Sequence, residues 1–147
     1  MWTVLFVRHA DIDLPAMSRD PVLNAAGVRR AEELARVVGA ARVVSVSTSE
    51  LRRTKLTAAP LAARLGLRPS EVSPPAEFAR QVRAGELGAV IMVVGHSDTI
   101  PDMIAALGVV APPTIGEREF DNLFLVTVAD DGEVPLLALK YGKPSIG

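Results

Sequence analysis

The chain has 147 residues, 49% hydrophobic and 22% charged, which is the composition of a folded globular chain and excludes a disordered one. Sixteen Lys and Arg against seventeen Asp and Glu give a net charge of −1, which argues against a nucleic-acid partner. There is no cysteine, so disulfides, thiolate metal sites and cysteine nucleophiles are excluded.

The first apolar run, Val4 to Val7, is short and β-branched and predicts a buried strand that stops at Arg8-His9. A Pro-containing loop leads to Asn24, the expected N-cap of a helix from about Ala25 to Val38. Val28, Ala31, Ala35 and Val38 should form its apolar face, with Arg29–Glu33 and Glu32–Arg36 paired on the wet side and Gly39 as the stop. Arg42 to Val46 predicts a second strand. Ser47-Thr48-Ser49-Glu50 has a capping-box pattern opening a helix toward Leu65 and Gly66, with a kink or restart expected at Pro60.

Ser73-Pro74-Pro75 opens a third helix ending near Gly85. The most apolar run, Val90 to Val94, predicts a strand that stops at Gly95-His96. A fourth helix follows from about Thr99 to Leu107, with Pro101 in its first turn and Gly108 as its stop. Finally, Phe120–Val128 and Val134–Tyr141 flank a turn-forming segment and predict a hairpin. This order predicts one α/β domain over residues 1–147, a three-layer α/β/α sandwich. Its central sheet should be mostly parallel, with an antiparallel C-terminal hairpin. No apolar window approaches the roughly eighteen residues of a membrane span and no signal-peptide pattern opens the chain, so a cytoplasmic protein with no membrane partner is expected.

Charge is unevenly distributed. Between Val28 and Arg68 nine basic residues face three acids, and most are expected on solvated helix faces. The two histidines stand out. His9 and His96 each lie just past the carboxyl end of an apolar strand, where open α/β sheets form their binding crevices. If those strands are neighbours, the imidazoles face each other. Arg8 precedes one, and Arg52 and Arg53 begin the helix after the Ser47–Ser49 strand end. Guanidinium forks and helix N-terminal amides suit a phosphate group.

These residues carry a resemblance. Val7-Arg8-His9-Ala10-Asp11 resembles the Arg-His-Gly or Arg-His-Ala signature of the histidine phosphatase superfamily, also called phosphoglycerate-mutase-like. Leu23-Asn24-Ala25-Ala26-Gly27 is similar to its Leu-Thr-x-x-Gly helix start. Ser49 to Ala58 resembles Ser-x-Leu-x-Arg-Ala-x-Gln-Thr-Ala, and Val93-Val94-Gly95-His96-Ser97 resembles the second-histidine motif. The motifs occur in family order between residue 4 and about residue 108.

The resemblance implies that His9 is a nucleophile forming a phosphohistidine, with Arg8, Arg53 and His96 holding the phosphoryl oxygens. Arg53, not Arg52, aligns with the family arginine. No metal and no cofactor are implied, because guanidiniums supply the charge. Ala10 stands for the commoner glycine and Leu56 for the usual glutamine. The family's donor glutamate has no clear counterpart. The short chain resembles the bacterial phosphohistidine phosphatases, and an open pocket favours hydrolysis over mutase chemistry.

For the missing proton donor, Asp98 is the first choice, ahead of Glu77, Asp11 and Glu119, although Asp98 or Ser97 could equally cap the fourth helix. A small phosphorylated metabolite or a phosphoprotein would fit such a site. A non-catalytic phospho-ligand domain of the same fold is the alternative.

Overall fold

The computed structural model describes residues 1–145. Its elements in chain order are β1 (Trp2–Arg8), α1 (Ala25–Val38), β2 (Ser45–Thr48), α2 (Arg52–Leu65), β3 (Ser70–Glu71), α3 (Pro75–Arg83), β4 (Val90–Gly95), α4 (Thr99–Ala106), β5 (Asn122–Val128) and β6 (Leu136–Lys140). The sheet order is β3-β2-β4-β1-β5-β6. The first four strands are parallel, whereas β5 and β6 are antiparallel and form the expected C-terminal hairpin.

Alternation within the apolar strands divides the core between the two faces of the sheet. Val4, Phe6, Ile91, Val93 and Val126 pack against Phe78 and Val82 of α3 and Ile100 and Ile104 of α4. Leu5, Val7, Met92 and Val94 pack on the other face, against Leu34 of α1 and Leu61 of α2. Such two-sided burial is why these strands read as continuous apolar runs. The Phe6 and Phe78 rings meet edge to face at 6.2 Å on the α3–α4 side. A helix layer on each face gives the three-layer arrangement expected.

Helix α1 begins as predicted, with the Asn24 side chain accepting from the Gly27 amide at 2.9 Å. Gly27 is required for packing: a Cβ there would lie 2.2 Å from the Asp11 carbonyl oxygen. Its apolar face is rotated from the expected one. Val28 is exposed, and Gly27, Arg30, Ala31, Leu34, Ala35 and Val38 are buried. On its wet side the ion pair formed is Arg36 with Glu33, three residues apart, instead of the two expected four-residue pairs.

Three other local expectations are corrected. The second strand starts at Ser45, not Arg42, because Arg42 has φ 62°, a left-handed conformation that breaks an extended run. Ser47 does not cap α2: the ladder continues through Thr48, which pairs with Val94 of β4 and Glu71 of β3, and the helix starts at Arg52 without a side-chain cap. Pro60 does not restart the helix. The carbonyl left without its amide partner is that of Leu56, on an exposed turn where water can replace it. The two-residue strand β3 was not anticipated.

Candidate active site

Parallel pairing of β1 with β4 puts Arg8 opposite Gly95, so His9 and His96 leave the sheet side by side. The His9 amide donates to the Gly95 carbonyl at 2.8 Å, and the two rings lie 5.5 Å apart at 58°. Strand β2 lies on the far side of β4 and delivers Ser49 and the first turn of α2 to the same place. Three neighbouring strand ends therefore converge.

His9 is buried, with 3% of its surface exposed. Its Nδ1 lies 2.9 Å from the Ala10 carbonyl oxygen, which can only accept. The Nδ1 therefore carries the proton, and Nε2 holds a free lone pair. Burial foremost pushes the His9 pKa down to about 3; Arg8, His96 and Arg53 push the same way, and the hydrogen bond to Ala10 opposes them. A neutral, oriented imidazole with its lone pair free has the form that nucleophilic attack requires. The following residue is fixed through α2: the Ala10 amide donates to Thr57 Oγ1 at 2.8 Å, and that hydroxyl donates to the Arg53 carbonyl at 2.7 Å.

Arg8 is also buried, at 7% exposure. Its Nη1 donates to the carbonyls of Gly116, Glu117 and Glu119 at 3.2, 2.8 and 2.9 Å. Its guanidinium lies 4.2 Å over the Phe120 ring, and that ring is 5.9 Å from His9. Nε is buried with no hydrogen-bond partner among the described residues. A buried charged donor left unpaired costs more than the 1–3 kcal/mol or so typical of neutral groups, so this nitrogen suits an anionic acceptor.

His96 is held by a hydroxyl chain. Its Nε2 lies 2.8 Å from Ser49 Oγ, which lies 2.8 Å from Thr54 Oγ1. Thr54 donates to the Leu51 carbonyl at 2.9 Å, so it accepts from Ser49, and Ser49 in turn accepts from His96 Nε2–H. Burial lowers the His96 pKa most, with Arg53 adding to the effect and Asp98 and Glu50 opposing it.

A cavity of about 520 Å³ opens beside His96, lined in part by Arg53, Ser49, Asp98 and Thr99. Arg53 is half-buried there, and its Nη1 donates to the Arg19 carbonyl at 3.3 Å. Arg52 turns away and pairs with Asp20 at 3.2 Å on the surface. A larger cavity, of about 670 Å³, lies beyond the 11–14 loop and holds none of the two histidines, Arg8 or Arg53.

The four acids considered as donors have different surroundings. Asp98 caps α4 by accepting from the Thr99 amide at 2.9 Å, and it lines the cavity next to His96. Asp11 is bound to buried Arg30 at 2.7 Å. Glu77 is paired with Arg80 at 2.7 Å on the surface of α3. Glu119 accepts from the Gly116 amide at 2.7 Å and meets Lys140 at 3.4 Å. Among the described residues no three His, Asp or Glu side chains converge as a metal-binding group.

Sequence reasoning did not foresee two contributors. Arg30, one of the nine basic residues between Val28 and Arg68, is buried and also donates to the Tyr141 and Lys143 carbonyls at 3.0 and 2.8 Å, tying the loop after His9 to the C-terminal segment. The Gly116–Glu119 segment, on the approach to the hairpin, supplies the three carbonyls that accept from the Arg8 side chain.

Residues 4–77 match the family model described as histidine phosphatase superfamily (branch 1). Among solved structures, the protein histidine phosphatase SixA complexed with tungstate is similar, at 20% identity with a TM-score of 0.75, over 94% of this chain and 96% of that one. The mycobacterial glucosyl-3-phosphoglycerate phosphatase with inorganic phosphate is 16% identical, with a TM-score of 0.67, over 98% of each chain. No curated protein matches significantly.

Proposed function

The chain belongs to the histidine phosphatase superfamily, and on that premise we propose that it is a metal-independent phosphatase that hydrolyses a phosphomonoester or a phosphohistidine. The observation that carries this reading is the unpaired, buried Nε of Arg8 next to a neutral His9 whose Nε2 lone pair is free. Positive donors and a nucleophile without a proton are what transfer of a phosphoryl group requires.

In the first step His9 Nε2 attacks phosphorus, the bond from phosphorus to the leaving oxygen or nitrogen breaks, and that atom takes up a proton. In the second, water attacks the phosphohistidine, releases inorganic phosphate and restores His9. Arg8, Arg53 and His96 hold the phosphoryl oxygens and offset charge in a loose transition state. Since Ser49 engages the Nε2 proton of His96, contact with a phosphoryl oxygen uses the other ring nitrogen, protonated, or a shared Nε2 proton. Either way a bound anion favours charged His96.

Asp98 is the proposed proton donor, since it alone of the four acids borders the cavity beside His96 without an ion-pair partner among the described residues. The substrate is a small phosphorylated metabolite or a phosphoprotein, acted on in the cytoplasm. The test is turnover in a chelator over a phosphomonoester panel that includes a phosphohistidine peptide. Hydrolysis lost in the chelator overturns the metal-independent mechanism. Phosphate binding without any turnover identifies a non-catalytic phospho-ligand domain instead.

A further inference from the structure

Arg8 is held by a turn, and one side chain contributes to closing that turn. An Nη nitrogen carries two hydrogens, so the carbonyls of Gly116, Glu117 and Glu119 saturate Nη1. Phe120 underlies the guanidinium plane, and Nε, on the edge away from Nη1, is buried without a partner among the described residues. This is the edge geometry that meets two oxygens of one anion.

The Gly116–Glu119 segment is anchored at its flanks, where Ile115 packs on the core and the buried Phe120 donates its amide to Ser145 Oγ at 2.8 Å. Gly116, Glu117 and Arg118 are exposed, so burial does not fix the segment. Two bonds close it: the Glu119 amide donates to the Gly116 carbonyl at 3.1 Å, and the Gly116 amide donates to Glu119 Oε1 at 2.7 Å. Lys140 on β6 reaches the other carboxylate oxygen at 3.4 Å.

We propose that Glu119 is a positioning residue: its carboxylate closes the Gly116–Glu119 turn that orients Arg8, and so it sets phosphate affinity without touching phosphate or giving a proton. The inference rests on reading Arg8 as a phosphate ligand. The Gly116 amide is also the main influence holding the Glu119 carboxyl below its ordinary pKa, which suits an acceptor and not a proton donor.

The test compares E119Q, E119A and wild type in affinity for inorganic phosphate, measured by calorimetry, and in kcat/KM on an alkyl and a nitrophenyl phosphate. Glutamine keeps the oxygen that accepts from Gly116, so E119Q should stay within about threefold of wild type. E119A should bind phosphate about tenfold more weakly and lose kcat/KM equally on both substrates, since misaiming a ligand by an ångström costs up to about a hundredfold. E119D, one methylene too short for the Gly116 amide, should resemble E119A and carries the comparison if E119A fails to fold. Unchanged phosphate affinity in E119A overturns the inference alone. So does damage in E119Q equal to that in E119A, or a loss in E119A confined to the alkyl substrate. Wild-type protein that binds no phosphate overturns both this inference and the reading of the site.

Discussion

Acidification should destabilise this protein through His9. Folding holds that ring neutral down to about pH 3 and buries it almost completely. In the unfolded chain an imidazole titrates near its ordinary value of about 6.5. The folded pKa is the lower one, so the unfolded state binds the extra proton as pH falls through 6.5, and stability is lost from there toward pH 3. At pH 4.5 the unfolded ring is two pH units below its pKa, which corresponds to about 2–3 kcal/mol relative to pH 7.5. For a chain of this length that is about 4–12 °C in Tm.

Urea denaturation of wild type and His9→Asn at pH 7.5, 6 and 4.5 measures this loss. Asparagine keeps an N–H for the Ala10 carbonyl and has no titrating group. The gap between the two proteins should shift in favour of the variant by about 2–3 kcal/mol over that range. A gap that stays constant with pH would refute the account of a nucleophile held neutral by burial.

Two further outcomes follow from the site. Arg53→Ala should lower kcat/KM about a hundredfold or more, because Arg53 lines the cavity beside His96. Arg52→Ala, which loses an exposed pair with Asp20, should stay within about threefold, and equal losses would place the wrong arginine in the site. Asp98→Asn keeps an oxygen to cap α4, so Tm should hold, while kcat/KM on an alkyl phosphate falls about a hundredfold or more and on a nitrophenyl phosphate less than about tenfold. Equal losses on both substrates would reduce Asp98 to a cap.

The site was legible where chemistry sits on strand ends. Continuous apolar runs marked β1 and β4 as buried strands, and both histidines followed them, so neighbouring strands were enough to bring His9 and His96 together. Legibility failed where one backbone region depends on a distant one. Nothing local shows that the carbonyls of 116–119 serve Arg8, more than a hundred residues away. Nothing local marks β3 either, since two exposed residues carry no periodic signal. Arg30 could have been found: Gly27, Arg30, Ala31, Leu34 and Val38 share one helical face, and placing Val28 on that face hid it. The capping-box pattern at Ser47 misled because strand pairing with Val93 took precedence over a local cap.

The central claim is that His9 carries the phosphoryl group between two half-reactions. Rapid quench of the protein with phosphoryl-labelled substrate, followed by peptide mapping, tests it most directly. The account predicts labelled phosphate on the peptide containing His9, stable to base, lost in acid and absent from His9→Asn. Turnover without trapped label, label stable to acid, or a His9→Asn variant as active as wild type would contradict it.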